Sequence, residues 1–243
     1  MLLAIDTSTR FAGVALADDE RVVSCRTWYS RVNHTSELMP AVAQVLGDRG
    51  LTAGDLQGIA VALGPGAFSA LRVGLSVAKG LASSSSLPIV GLKTLELEAQ
   101  PYLGTGPAVC AMVDAGRGEV ATALFGPGGE PRGGERICPP DELLDSFDST
   151  AGDPTAGDPT AGFTLFCGEG VVPWAALIRE RLGPRALVLD SPNPVTRLWS
   201  LASLGRERLE SGDTDDPAEL QPNYLRMPTI GEAKRRDRRP QRQ

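Results

Sequence analysis

QGIAVALGPGAFSALRVGLSVAKGLA, residues 57–82, reads as a strand, a tight glycine turn and a helix. Ile59 to Leu63 is a short apolar run stopped by Gly64-Pro65-Gly66, the pattern of a buried strand bounded by turn residues. The helix after it is expected to start near Ser69, whose hydroxyl is placed to cap free backbone N–H groups. Leu71, Leu75, Ala78 and Ala82 recur at helical spacing and form one apolar stripe. Ala70, Gly74 and Ala78 form a second stripe of very small side chains. Glycine in mid-helix costs about 1 kcal/mol relative to alanine, so Gly74 calls for a packing reason. Two remain open: close packing inside the chain's own core, or a helix face made for a partner subunit.

Phosphate-binding readings of this stretch fail. G-P-G-A-F-S lacks the third glycine of the dinucleotide motif, and Pro65 removes one N–H donor from the loop. The following strand, Pro88–Leu92, ends without the acidic residue a ribose would need. A triphosphate loop requires Gly-Lys-Ser/Thr, whereas the order here is Lys79-Gly80-Leu81.

Working outward, residues 2–5 and 11–17 are two strands around D-T-S-T-R, and Arg21–Ser30 is a third. Thr35–Leu46 has helical period, with Pro40 either kinking it or marking a later start. After the Pro88–Leu92 strand, a helix is expected to begin with Thr94 as its cap, and Glu96 and Glu98 suit the positive end of its dipole.

The second half repeats that order. Strands Ala108–Val113 and Glu119–Phe125 flank D-A-G-R-G, and a weak strand lies at Arg136–Cys138. Then come a helix Pro140–Phe147, a strand Phe163–Cys167, a helix Val172–Leu182, a strand Ala186–Leu189 and a helix from Val195 to about Leu209. With an offset of 108, Ile5 meets Val113, Asp6 meets Asp114, Ala15 meets Ala123 and Leu16 meets Leu124. The fold class is therefore α/β, a duplicated unit whose two halves, 1–104 and 105–226, face each other across a cleft. The tandem T-A-G-D-P-T-A-G-D-P-T-A-G of residues 150–162 cannot bury a core and is expected to be a flexible surface insertion.

The formal charge of −6 hides an asymmetry. From Ala233 onward six Lys/Arg stand against Asp237, a net of +5, which leaves −11 on residues 1–232. So acidic a body argues against this chain alone gripping an RNA backbone, which needs clustered cations; the basic tail, 227–243, is expected to be disordered. Met1–Ile5 is halted by Asp6 with no basic leader or long apolar run, so no membrane association and a cytoplasmic location are expected. Cys25, Cys110, Cys138 and Cys167 are scattered, and His34 is the one histidine. That inventory cannot readily build a nitrogen- or sulfur-rich metal site.

Asp6, followed by Thr7 and Ser8, and Asp114 sit at corresponding turns, where two carboxylates can flank a nucleotide's phosphates or simply cap their own turns. Gly168 and Gly170, in Cys167-Gly168-Glu169-Gly170, mark a strand-to-helix turn able to accept adenine or ribose, or to be a plain turn. Ser36 beside His34 and Glu37 mimics a hydrolase triad, but all three are crowded into one helix start, whereas a triad draws on separate elements.

The N-terminal I-D-T-S, H-T-S-E-L-M-P, the long G-P-G-A-F-S-A-L-R-V-G-L-S-V-A-K-G-L-A, D-A-G-R-G-E-V and the late P-N-Y-L-R, in that order over residues 2–226, resemble the bacterial TsaB (YeaZ) family. The resemblance implies a fold of two RNase H-like halves, as in the actin, sugar-kinase and heat-shock-chaperone (ASKHA) superfamily. It also implies a role in forming N6-threonylcarbamoyladenosine at position 37 of tRNAs reading codons that start with A. There such proteins are non-catalytic scaffold partners of a TsaD-like catalytic subunit, working with a TsaE-like ATPase and a threonylcarbamoyl-AMP synthase. Implied with this are a homodimer when the partner is absent, tRNA met only through the complex, no catalytic residue or bound metal, and ATP or ADP at the complex interface. Docking would use the first two helices, with His34, Leu38, Ala70, Leu71, Gly74 and Ala78 as interface residues. The catalytic relative's H-x-x-x-H metal pair is absent, since this chain has no second histidine. Gly116 and Ala121 replace the usual arginine and tyrosine of D-A-R-R-G-E-V-Y, and the insertion and basic tail are extra. The alternative is an enzyme of the same fold, a glycoprotease-like hydrolase or a small-molecule kinase.

Overall fold

The computed structural model describes residues 1–19, 21–30, 34–148 and 162–226; the tail 227–243 and all of the insertion except Gly162 lie outside the described residues. The chain begins with strands β1 Leu2–Asp6, β2 Phe11–Ala17 and β3 Val22–Tyr29, then helix α1 His34–Gly47, β4 Gly58–Gly64, α2 Phe68–Ser85, β5 Ile89–Lys93 and α3 Thr94–Ala99. The second series is β6 Ala108–Gly116, β7 Glu119–Phe125, β8 Pro131–Cys138, α4 Pro140–Asp148, β9 Thr164–Cys167, α5 Ala175–Leu182, β10 Ala186–Val188 and α6 Pro194–Glu210. The strands form two five-stranded sheets, ordered β3-β2-β1-β4-β5 and β10-β9-β6-β7-β8. In each, a three-stranded antiparallel meander continues into two parallel strands. This is the duplicated RNase H-like arrangement of the ASKHA fold.

The register corrects one detail of the sequence overlay. Ile5 faces Val14 across the first hairpin, whereas Val113 faces Ala121 across the second. The second hairpin is thus one residue shorter, so the offset of 108 holds for the first strand and slips by one on the next. Ala15 pairs with Ala4, but Ala123 pairs with Ala111, the counterpart of Leu3.

Burial on both faces explains the near-continuous apolar strands. Leu3 and Ile5 of β1 join a core with α1 and α2, while Leu2 and Ala4 join a second core with Leu198, Leu201 and Ala202 of α6. The second sheet packs α4 and α5 on one face. Its other face meets α3 through Leu95 and Ala99, whereas Leu97 of α3 points into the first sheet's core. With Leu95 and Ala99 in one core and Leu97 in the other, α3 is the wedge between the sheets, Glu96 and Glu98 lying between its apolar positions.

Local differences have local causes. Helix α2 is preceded by Ala67 and makes no side-chain cap, so Ser69 already lies inside it. Thr94 is likewise the first residue of α3, fully buried with an unpartnered hydroxyl, rather than its cap. Pro40 sits inside α1. The segment Glu169–Trp174 is a 3-10 turn containing Pro173, and α5 begins only at Ala175. Strand β8 starts five residues earlier than its apolar end suggests, because its exposed half pairs with β7 through backbone alone.

Candidate functional site: an arginine-filled junction and an adjoining cleft

Asp6 ends β1 and is 1% exposed. Its Oδ1 accepts hydrogen bonds from the Ser8 amide at 2.8 Å and the Ser8 hydroxyl at 2.6 Å, which fixes the turn. Its Oδ2 accepts from Nε of Arg197, a residue of α6 that is 2% exposed. The same guanidinium donates through Nη1 to Glu98 of α3 at 2.7 Å and to Glu169 at 2.9 Å. Through Nη2 it donates to the Thr9 hydroxyl at 3.0 Å and the Phe11 carbonyl at 2.6 Å. Thr9 in turn donates to Glu169. Arg197 therefore gathers groups from β1, its following turn, α3 and the loop after β9.

Three carboxylates around one guanidinium leave a surplus of negative charge. Burial would lower the pKa of Arg197, but Asp6, Glu98 and Glu169 outweigh it and hold the guanidinium well above its ordinary value. Burial pushes Glu98 above the usual carboxylate range, with Glu169 and Asp6 adding to the rise against the pull of Arg197. Asp114 has no such cation on it among the described residues. It is exposed and accepts the Gly116 amide at 2.8 Å. In both halves the carboxylate caps its own turn, and both oxygens of Asp6 are engaged within the chain.

Beside this junction lies a cleft of about 650 Å³. Ser8, Thr9, Gly66, Ala67, Asp114 and Glu169 line it, with Arg10, Arg117 and Arg226 and the rings of Phe11, Tyr29, Phe68 and Tyr224 around them. Phe68 and Tyr224 stack 4.8 Å apart, with Arg72 over the Phe68 ring at 4.0 Å and bonded to the Tyr224 hydroxyl at 2.9 Å. The P-N-Y-L-R segment thus straps the cleft. The Asn223 amide donates to the Leu63 carbonyl, its side chain to Glu135 at 2.7 Å, and Arg226 pairs with Glu119 at 2.7 Å.

Of the residues expected at a nucleotide cleft, Ser8 and Asp114 line it, while Asp6, Thr7, Gly168 and Gly170 do not. Thr7 is buried and donates to the Ala70 carbonyl at 2.7 Å. The two glycines serve backbone contact: a Cβ on Gly168 would stand 2.3 Å from the Met112 carbonyl oxygen, and one on Gly170 2.8 Å from the β6 backbone. The loop's chemistry lies in Glu169 between them.

The interface residues also need correction. Leu38, Ala70, Leu71, Gly74 and Ala78 are buried within this chain, and His34 is half-buried. A Cβ on Gly74 would lie 2.3 Å from Thr7 Oγ1, so the small-residue stripe exists to let α2 close on the turn after β1. The apolar stripe of an amphipathic helix faces its own sheet first, and a partner is left with the opposite faces. Helices α1 and α2 pack side by side. Their outer faces carry Met39 (45% exposed), Pro40, Ala43, Ser69, Ser76 and Gly80, with open space around a Cβ on Gly80.

At the start of α1 the acid expected for a triad is engaged elsewhere. Glu37 accepts from Trp28 Nε1 at 3.0 Å, and among the described residues His34 Nδ1 is buried without a partner. Burial lowers the His34 pKa against the raising influence of Glu37 and Asp6. Among the described residues, no three His, Cys, Asp or Glu side chains are grouped to hold a metal ion, and no helix is long and apolar enough to cross a membrane. Burial pushes the Cys110 thiol up to about 12, and Cys167 is also raised by burial, so both are inert.

Arg197 was not evident from motifs. One signal was present: it stands one residue before Leu198 and four before Leu201, on the stripe of α6 that meets the sheet. A charge on an apolar stripe calls for a buried partner.

A tRNA threonylcarbamoyladenosine biosynthesis protein TsaB from Bacillus subtilis is 30% identical over 228 residues, covering 93% of this chain and 94% of its own length. The chain belongs to the TsaB (YeaZ) family. The Escherichia coli TsaB is 37% identical over 126 residues, covering 51% of this chain and 54% of its own. The structure of YeaZ from Pseudomonas aeruginosa superposes with a TM-score of 0.69 at 28% identity, covering 92% of this chain and 99% of that one. A family profile described as TsaD, tRNA N6-adenosine threonylcarbamoyltransferase, matches residues 29–159. The TsaB likeness thus runs through both halves, while the TsaD profile stops within the second.

Proposed function

We propose that this chain is the non-catalytic partner subunit in the formation of N6-threonylcarbamoyladenosine on tRNA, supporting a TsaD-like catalytic subunit. The observation that carries this reading is the saturation of Asp6. In a two-halved fold with a central cleft, the carboxylate at the first turn is the group best placed to hold a metal ion beside a phosphate, and here Ser8 and Arg197 engage both its oxygens. Membership of the TsaB family supplies the reaction to which the chain contributes.

In this reading the catalytic subunit docks on the outer faces of α1 and α2, and a second copy of this chain uses the same faces when that subunit is absent. A TsaE-like ATPase joins the pair, tRNA is met through the assembly in the cytoplasm, and adenine nucleotide is held at subunit interfaces. Against a hydrolase or kinase reading, the three junction carboxylates Asp6, Glu98 and Glu169 all bond to Arg197.

The test is gel filtration of the chain mixed with a TsaD-like subunit. Co-elution as one species, lost in a Gly80→Leu variant with an unchanged melt, is the expected result. A chain that turns over ATP or peptide by itself contradicts the proposal.

A further inference from the structure

The Arg197 junction has a feature that a simple structural ion pair lacks: its partners belong to both sheets and to the helix wedged between them. Asp6, Thr9 and Phe11 come from the first sheet and its turn, Glu98 from α3, and Glu169 from the loop after β9 of the second sheet. We propose that Arg197 is a positioning residue, a built-in cation that fixes the two halves of the cleft at one mutual angle, so that the chain holds one shape without a ligand in the cleft. This goes beyond the partner-subunit reading and does not depend on it.

The chemistry favours arginine for that task. A planar guanidinium presents five N–H donors in fixed directions, and carboxylates on different elements can satisfy them only at one relative placement. Five acceptor groups are engaged here, from Asp6, Glu98, Glu169, Thr9 and Phe11. A lysine, with a single nitrogen, would set no such angle. Burial at 2% excludes water that would otherwise compete for the same donors. Elsewhere the halves are joined by α3, by the strap through Asn223 and Arg226, and by the more exposed Lys93–Glu135 ion pair at 3.6 Å. Those contacts connect the halves; the guanidinium orients them.

The test measures the distance between the halves in the isolated full chain. Cys25 is exposed on β3, while the other three cysteines are buried, so Cys25 and a cysteine introduced at the exposed Ala176 of α5 take spin labels selectively. The unaltered junction is expected to give one narrow distance distribution. Arg197→Ala is expected to lose it, and tens of millimolar guanidinium ion, set against sodium at equal ionic strength, to restore it by refilling the vacated place. Where Arg197→Ala does not fold, the combined Asp6→Asn, Glu98→Gln, Glu169→Gln and Arg197→Met chain removes the charges together. That chain is expected to fold and still to show a broad distribution, separating orientation from stability. A narrow distribution in either variant, or broadening in Arg197→Ala that guanidinium does not reverse, overturns the proposal.

Discussion

Asp6 and Asp114 stand at the same place in the duplicated unit, facing Gly13 and Val120 across their hairpins, yet one is sealed and the other open. The difference comes from the end of the chain. Helix α6 packs on the first sheet and delivers Arg197 to Asp6, whereas the matching face of the second sheet is covered by α3 and Leu225. Duplication supplied two equivalent carboxylates, and a single later helix gave them different physics. One became a buried anchor; the other remains a turn cap at the cleft.

The largest effect should come from breaking that asymmetry. Arg197→Met alone leaves Asp6 buried and Glu98 and Glu169 part-buried without their cation, and loss of one partner from a buried ion pair costs about 3–5 kcal/mol. For a chain this long each kcal/mol shifts Tm by roughly 2–4 °C, so a fall on the order of 10 °C is expected by calorimetry. Asp114→Asn, at the equivalent position, should leave the melt essentially unchanged. Equal losses would mean that the two turns are physically alike after all.

A second contrast lies on α2, between its inner and outer glycines. Gly74→Leu forces side-chain atoms into Thr7 and should destabilise by about 1–3 kcal/mol or more through overpacking. Gly80→Leu meets open space and should melt normally. A normal melt for Gly74→Leu would return the small-residue stripe to the list of partner surfaces.

The smallest effect is a pH dependence confined to the Arg197 junction. The folded pKa of Glu98 lies above its ordinary 4.5, raised by burial. Its contribution to stability is therefore complete below that value and is lost as pH rises through the folded one. Glu98→Gln removes this loss, so the Tm of the variant relative to the unaltered chain should climb as pH goes from about 4 to 8. A flat or falling difference would show that Arg197 keeps Glu98 ionised throughout.

Much of the architecture was legible because it is written in local pattern. The apolar runs of β1, β4 and β6, the glycine turn after β4 and the recurrence of Asp6 as Asp114 locate the two sheets without any tertiary information. What was hidden is long-range. The Asp6–Arg197 contact joins residues 191 apart, and no spacing rule reaches that far. The small stripe on α2 showed a close approach but not its partner; only the fold reveals that Thr7 fills that role. Glu169 was masked by the glycines beside it, which drew attention to the loop's backbone rather than to its carboxylate.

The most direct measurement is nucleoside analysis of tRNA after reconstitution with a TsaD-like subunit, a TsaE-like ATPase and a threonylcarbamoyl-AMP synthase. The expected result is threonylcarbamoyladenosine only when this chain is added, none with Gly80→Leu, and a normal yield with Asp114→Asn. Modified nucleoside formed in the absence of this chain, or by this chain without the TsaD-like subunit, would contradict a non-catalytic partner role.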